Sequence, residues 1–226
     1  AGSGTITANG GSYAGNDGNV GGSGGGRIAI LYTTKTFTGN VTAYGSSGNY
    51  SGGHGGAGTI YWKDASQSYS DLVINNNGIV PASSSTPLSG TTTTFNTVTI
   101  TNSGRWGYSG TSTIQVIGTM SLDNGWYTHT GSNTTVVDTL SLSSASDMTA
   151  TTIQAGTLNL SGGSVLKHPE TGTSSVYNLN ITVTGNLSIT GTSTIDVSGR
   201  GYLGGHSGGN NSDTGRTSGN VTTNGS

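Results

Sequence analysis

The sequence predicts an all-β chain wound as a single-stranded parallel β-helix, a β-solenoid, with long ordered glycine-rich loops and no significant helix. Three observations predict it. An apolar-polar-apolar phrase returns at near-constant intervals along the chain, which is how a stacked repeat announces itself. Gly, Thr, Ser, Asn and Val dominate every window, and all rank low in helix propensity. Only 7% of the 226 residues are charged and 42 are glycine, while Thr, Val, Ile and Tyr favour a pleated surface.

The phrase reads Val98-Thr99-Ile100, Met120-Ser121-Leu122, Leu140-Ser141-Leu142, Leu158-Asn159-Leu160, Leu179-Asn180-Ile181 and Leu187-Ser188-Ile189; the first five begin 22, 20, 18 and 21 residues apart. Successive side chains of a strand point to opposite faces, so the apolar members share one face and Ser or Asn the other. Met120, Leu140 and Leu158 are expected to stack as one inward ladder and Leu122, Leu142 and Leu160 as a second. A slip of one residue would expose all six and bury Ser121, Ser141 and Asn159, so the pattern specifies the register. Ile114-Gln115-Val116, Val136, Ile153, Val176 and Ile195-Asp196-Val197 fall between the phrases and predict further strands in each turn of chain. Each coil then needs few inward side chains, which reconciles the fold with only 29% hydrophobic residues. An antiparallel sandwich would instead place two-residue turns between adjacent strands. Most gaps here are longer and more even.

Residues 1–226 are expected to form one continuous solenoid, with glycine-rich loop-bearing coils at 1–62 and 194–226 and regular coils at 63–193. The loops occupy 10–26, 45–58 and 199–218. Thr5-Ile6-Thr7-Ala8-Asn9-Gly10, Asn40-Val41-Thr42-Ala43-Tyr44-Gly45 and Thr194-Ile195-Asp196-Val197-Ser198-Gly199 run into them. Loops of this length call for an explanation. The matching Tyr50-Ser-Gly-Gly-His54 and Tyr202-Leu-Gly-Gly-His206 predict that they are ordered and stacked, with Tyr and His as anchors. The stretch Gly219-Asn-Val-Thr-Thr-Asn-Gly also matches Gly39-Asn-Val-Thr-Ala-Tyr-Gly and Gly4-Thr-Ile-Thr-Ala-Asn-Gly. A unit of this size that repeats, within a longer chain or between stacked subunits, follows from that match.

The phrases Gly24-Gly-Gly-Arg-Ile-Ala-Ile30, Gly55-Gly-Ala-Gly-Thr-Ile-Tyr61 and Asp71-Leu-Val-Ile-Asn-Asn-Asn-Gly78 resemble those of large repetitive secreted bacterial proteins of the right-handed parallel β-helix group, which includes adhesin passengers and other cell-surface fibres. The resemblance implies a right-handed solenoid, a surface location and a scaffold role, and carries over no catalytic residues.

Chemistry is sparse. The formal net charge is −2 with no basic patch, so nucleic acid is not an expected partner. No apolar run approaches a membrane span, so no membrane insertion is expected. The chain opens on Ala-Gly-Ser-Gly, as a mature or excised fragment would, and cysteine is absent. Among the acids, Asp123, Asp138 and Asp147 could meet across coils, at the separations glycan-cleaving carboxylates require; solvated strand or turn aspartates are the simpler reading. His54 and His206 are the candidate metal ligands, if their loops stack; the alternative is a histidine that packs on Tyr or caps a turn. Trp62, Trp106 and Trp126, beside turns, are the candidate platforms for sugar rings, against a plain role in covering the flank of a thin core. Asn40, Asn49, Asn133, Asn159, Asn180, Asn186 and Asn220 begin glycosylation triplets that an Asn/Thr-rich chain produces by chance.

The expected function is that of an extracellular structural protein: a subunit or repeat of a cell-surface fibre, filament or sheath assembled by end-to-end solenoid stacking, with no catalytic activity and no cofactor. A surface adhesin that binds glycans is the alternative. An ice-binding solenoid is a third reading. It rests on the outward column Thr97, Thr119, Thr139 and Thr157, which gives way to Asn178 and Asn186, beside a mixed column of Thr99, Ser121, Ser141, Asn159, Asn180 and Ser188.

Overall fold

The structure is a computed structural model and describes residues 2–12, 20–49, 53–82, 85–87, 93–109, 112–129 and 134–222. The described residues are all-β, without helix. Along the chain run β1 (Thr5–Thr7), β2 (Arg27–Tyr32), β3 (Asn40–Thr42), β4 (Thr59–Asp64), β5 (Asp71–Asn75), β6 (Thr86–Pro87) and β7 (Thr94–Phe95). The middle holds β8 (Val98–Thr101), β9 (Arg105–Tyr108), β10 (Ile114–Asp123), β11 (Trp126–His129), β12 (Thr134–Ser143), β13 (Asp147–Thr149), β14 (Thr152–Leu160) and β15 (Val165–Lys167). Then come β16 (Asn180–Val183), β17 (Leu187–Ile189), β18 (Thr194–Ile195), β19 (Arg216–Thr217) and β20 (Val221–Thr222).

Two open sheets dominate. One has ten strands along the path β16-β14-β12-β10-β8-β5-β4-β2, with β17 beside β14 and β7 beside β10; the other has six, ordered β18-β15-β13-β11-β9-β6. From β8 to β18 the chain passes between them, and every pairing in that stretch is parallel. The exception in the large sheet is β4–β5, an antiparallel hairpin that the regular repeat gave no reason to expect. Its turn is closed by Asp64, whose carboxylate accepts hydrogen bonds from the Ser66 backbone N–H and hydroxyl. These two bonds hold the Asp64 carboxyl below the usual carboxylate range.

Register and side-chain alternation build the core. Leu72, Val98, Met120, Leu140 and Leu158 are successive partners across the large sheet, as are Ile74, Ile100, Leu122, Leu142 and Leu160. All ten are buried. Ser121, Ser141 and Asn159 lie between them on the other face. The six-stranded sheet contributes a third column, Trp106, Tyr127, Met148 and Leu166. Of the second set expected from the sequence, Ile195 continues this column by pairing with Leu166, Ile114 and Ile153 lie on the same long strands as the main phrase, and Val136 pairs with the exposed Gln115 and Gln154 on the outer face; Trp106, Tyr127, Met148 and Leu166 were not anticipated as a column.

Between the sheets the turns stack as well. Asn102 and Ser103, then Asn124, then Ser144 and Ala145, then Gly162 and Gly163 all take left-handed φ. Their backbones are bonded from one turn to the next: Ser103 N–H to Asn124 C=O, Asn124 N–H to Ser143 C=O and Ala145 N–H to Gly162 C=O. Two successive non-glycine residues with φ of 53° and 59° at Ser144 and Ala145 are strained. Beside them the Ser146 hydroxyl donates to Ser143 C=O and accepts from the Gly125 N–H.

The first two glycine-rich loops form a layer of their own. Gly22 N–H donates to Gly53 C=O and Gly25 N–H to Gly56 C=O; Ser46 N–H donates to Ser23 C=O and Asn49 N–H to Val20 C=O; Gly55 N–H donates to Ser46 C=O and Gly58 N–H to Ala43 C=O. Every series advances by three residues, the period of an extended polyproline-II backbone, which has no internal hydrogen bonds and must find its partners laterally. Glycines at 22 and 25, 45 and 48, and 55 and 58 keep that period. A Cβ there would strike a neighbouring backbone oxygen, for example Ser46 C=O at Gly22 or Ala43 C=O at Gly25, and none of the six has a left-handed φ. Close approach is therefore what requires glycine. Buried Asn76 ties the layer to the large sheet: its Oδ1 accepts from Gly45 N–H and its Nδ2 donates to Gly55 C=O.

The third loop does not join this layer. It closes on itself, with Asn210 Nδ2 donating to Gly204 C=O and Thr214 C=O and Arg216 N–H donating to Leu203 C=O. Asn220 and Arg216 anchor the antiparallel β19–β20 hairpin on Thr173 C=O. Tyr50, one of the expected anchors, lies outside the described residues.

Candidate functional site

Of the three tryptophans proposed as sugar platforms, Trp106 has to be withdrawn. It is 1% exposed and wedged between Phe95, at 5.8 Å and edge-on, and Tyr127, at 4.9 Å. Its neighbours in sequence are polar or small, which is why it read as a surface residue. Its strand, however, turns the same face inward as Tyr127, Met148 and Leu166. Trp62 and Trp126 are half-buried and each lies against a cation: Lys35 Nζ sits 4.0 Å from the Trp62 ring centre, with Tyr32 against it edge-on, and the Arg105 guanidinium lies 4.9 Å from that of Trp126. Such pairs stabilise by about 0.5–1 kcal/mol at exposed sites and occupy a face that a sugar would need.

The candidate metal pair has separate partners. His54 Nδ1 accepts from Gly48 N–H within the glycine layer, whereas His206 Nε2 lies 2.6 Å from the Asp213 carboxylate in the third loop. The Asp213 partner, seven residues on, was not foreseen. Among the described residues no group of three His, Asp or Glu could hold a metal ion. The carboxylates weighed as a catalytic set take different partners: Asp123 accepts from Ser143 Oγ at 3.0 Å, Asp138 from Thr139 Oγ1, and Asp147 pairs with Lys167.

His129 and Tyr127 are the titratable groups that burial changes most. His129 is buried against Tyr108 and Tyr127, with Nδ1 3.1 Å from Thr135 Oγ1 and Nε2 without a partner. Desolvation holds its imidazolium pKa down at about 4 and pushes the Tyr127 phenol up. Tyr127 belongs to the buried third column, and His129 lies two residues further along the same strand with its ring against it, so removal from water accounts for both shifts.

What the elements do present is a set of open sheet edges. The three core columns run on in register through Leu158 to Leu187, Leu160 to Ile189 and Leu166 to Ile195. Leu158, Leu160 and Leu166 are buried, whereas Leu187, Ile189 and Ile195 are 55%, 43% and 37% exposed. Each exposed residue continues an inward column and, among the described strands, has a strand on one side only. At the opposite limit β2 ends the ten-stranded path; in a separate two-stranded sheet β1 pairs, among the described strands, with β3 alone and leaves Ile6 39% exposed. Thr119, Thr139 and Thr157 do stand in register on the outer face, beside the mixed column Ser121, Ser141 and Asn159. No protein-family model, curated protein or solved structure matches the chain.

Proposed function

We propose that the two alternating parallel sheets are the faces of a right-handed β-solenoid, and that this solenoid is a structural subunit or repeat of an extracellular, cell-surface fibre, filament or sheath assembled end to end. The observation that carries the reading is the exposed rung Leu187, Ile189 and Ile195, set in register on buried columns. A parallel edge with apolar residues at the inward positions is a template for one more strand of the same pattern. Low charge adds little repulsion against such addition. Placement at a cell surface and a structural rather than catalytic role rest on composition and on the resemblance of the glycine-rich phrases. Sedimentation of the purified chain over a wide concentration range, with negative-stain microscopy of the same samples, tests the reading. Linear assemblies that lengthen with concentration are expected; dispersed monomers at every concentration would overturn it.

A further inference from the structure

The structure contains a small-scale version of the junction that an end-to-end assembly would need. The phrase Thr5-Ile6-Thr7-Ala8-Asn9-Gly10 stacks on Asn40-Val41-Thr42-Ala43-Tyr44-Gly45 as a parallel pair, Thr5 opposite Asn40, Ile6 opposite Val41 and Thr7 opposite Thr42. The same register continues beyond the strands, where Ala8 N–H donates to Thr42 C=O and Gly10 N–H to Tyr44 C=O. A third copy of the phrase, Thr194-Ile195-Asp196-Val197-Ser198-Gly199, begins with β18. Among the described strands β18 pairs with β15 alone, and β1 pairs with β3 alone. In the β3 copy of the phrase Val41 is half-buried and Ala43 buried, whereas Ile6 in the β1 copy and Ile195 and Val197 in the third are exposed.

Resting on the end-to-end reading above, we infer that β18 of one molecule pairs in parallel with β1 of a second copy of this chain, in the register that β1 already makes with β3. Ile195 then faces Ile6 of the second copy, Asp196 faces its Thr7 and Val197 its Ala8. Each apolar residue exposed on one edge gains an apolar partner from the other, which continues the β1–β3 interface outward by one strand. The two edges are different surfaces, so the contact is heterologous: it leaves a free β1 at one end and a free β18 at the other, and propagates as an open filament rather than closing as a two-fold dimer. Glycines follow the same logic. Gly11 on one side and Gly201 and Gly204 on the other have open space where a Cβ would stand, and none has a left-handed φ. In the first two loops glycines at this three-residue spacing are the ones a neighbouring backbone crowds.

The chain has no cysteine, so single-cysteine variants report the seam directly. Ile6→Cys and Ile195→Cys are purified separately, mixed and oxidised. Directly opposed residues of parallel neighbours lie about 4.8 Å apart, within disulfide reach. The expected product is a disulfide-linked heterodimer of the two variants, with little homodimer from either alone. Ile6→Cys mixed with Val221→Cys serves as the competing register, because Val221 is exposed and its strand repeats the β3 phrase. A second variant, Ile195→Lys, should abolish linear assembly while leaving the circular dichroism of the monomer unchanged. If unmodified protein assembles but the Ile6–Ile195 heterodimer does not form, or Ile6 links to Val221 instead, the seam is wrong and the end-to-end reading stands. If unmodified protein does not assemble, that reading fails first.

Discussion

Leu142 lies between Leu122 and Leu160 in a fully buried column, and Ser141, one residue earlier, lies on the outer face. The alternation makes neighbouring positions answer the same substitution differently. Leu142→Asp places an unpaired carboxylate in a dry core and is expected to cost about 3–5 kcal/mol. Ser141→Asp leaves the charge solvated and should stay within about 0.5 kcal/mol. Urea denaturation of the two variants checks this, and similar midpoints would contradict the register. His129 gives a pH-dependent counterpart. Its folded-state pKa is about 4, below the usual value near 6.5 for an unfolded chain, so the unfolded state binds the extra proton between those values. The contribution of His129 to stability is whole above pH 6.5, falls as the pH drops towards 4, and is constant below it. The difference in stability between the protein and His129→Gln, followed from pH 7 to pH 4, should shrink with acidification; a constant difference would show that the ring is not buried as a neutral group. These inward positions were legible where a strand carried the full apolar-polar-apolar phrase. Trp106 was not, because its strand is four residues long and alternates Trp106 and Tyr108 only with Arg105 and Gly107, a pattern too short to tell a core strand from an aromatic turn.

At the scale of elements, the long strands could be read from spacing and the glycine layer only in part. That the described parts of the loops find hydrogen-bond partners was expected from their length and their matched phrases; that the third loop would stack on the first two was expected too and does not hold. Their mode of packing did not, because a three-residue glycine spacing disappears among 42 glycines. Only the lateral hydrogen bonds reveal which glycines a neighbouring backbone crowds. Gly25→Ala is expected to destabilise by about 1–3 kcal/mol, as overpacking does, because its Cβ meets the Ala43 carbonyl. Gly11→Ala, at a position with open space, should be near neutral in the monomer. Thermal melts of the pair distinguish a packed layer from a loose tether, for which both substitutions would be equally mild. Asn76→Leu removes the side chain that accepts from Gly45 N–H and donates to Gly55 C=O, and is expected to cost about 1–3 kcal/mol for each buried group left unsatisfied. The antiparallel β4–β5 hairpin escaped sequence reading because a six-residue connection, opened by the Asp64–Ser66 bonds and the Gln67 N–H to Asp64 C=O turn, reverses the chain inside an otherwise parallel sheet.

For the whole molecule, the parallel pairing of β8, β10, β12 and β14 follows from a repeat of about 20 residues, since an even repeat returns each strand beside its predecessor with the same face inward. The same regularity has a consequence at the limits of the sheets: nothing in the pattern marks a last strand. Leu187, Ile189 and Ile195 are inward-type residues on an outermost rung, and Ile6, opposite the half-buried Val41 in a separate two-stranded sheet, is a further exposed apolar residue on a strand edge. Which edge meets which could not be read from the repeat, because the strand phrases are too alike; the distinction comes from the observed β1–β3 pairing and the free edge of β18. The central claim is that molecules add to one another along the direction in which strands are already stacked. Diffraction from an aligned, concentrated sample measures that direction. End-to-end stacking predicts a meridional reflection near 4.8 Å, the spacing of parallel strands, with strands perpendicular to the long axis of the assembly. A sample that aligns with the 4.8 Å reflection on the equator, or that yields only isotropic scattering from monomers at the highest concentration reached, would contradict it.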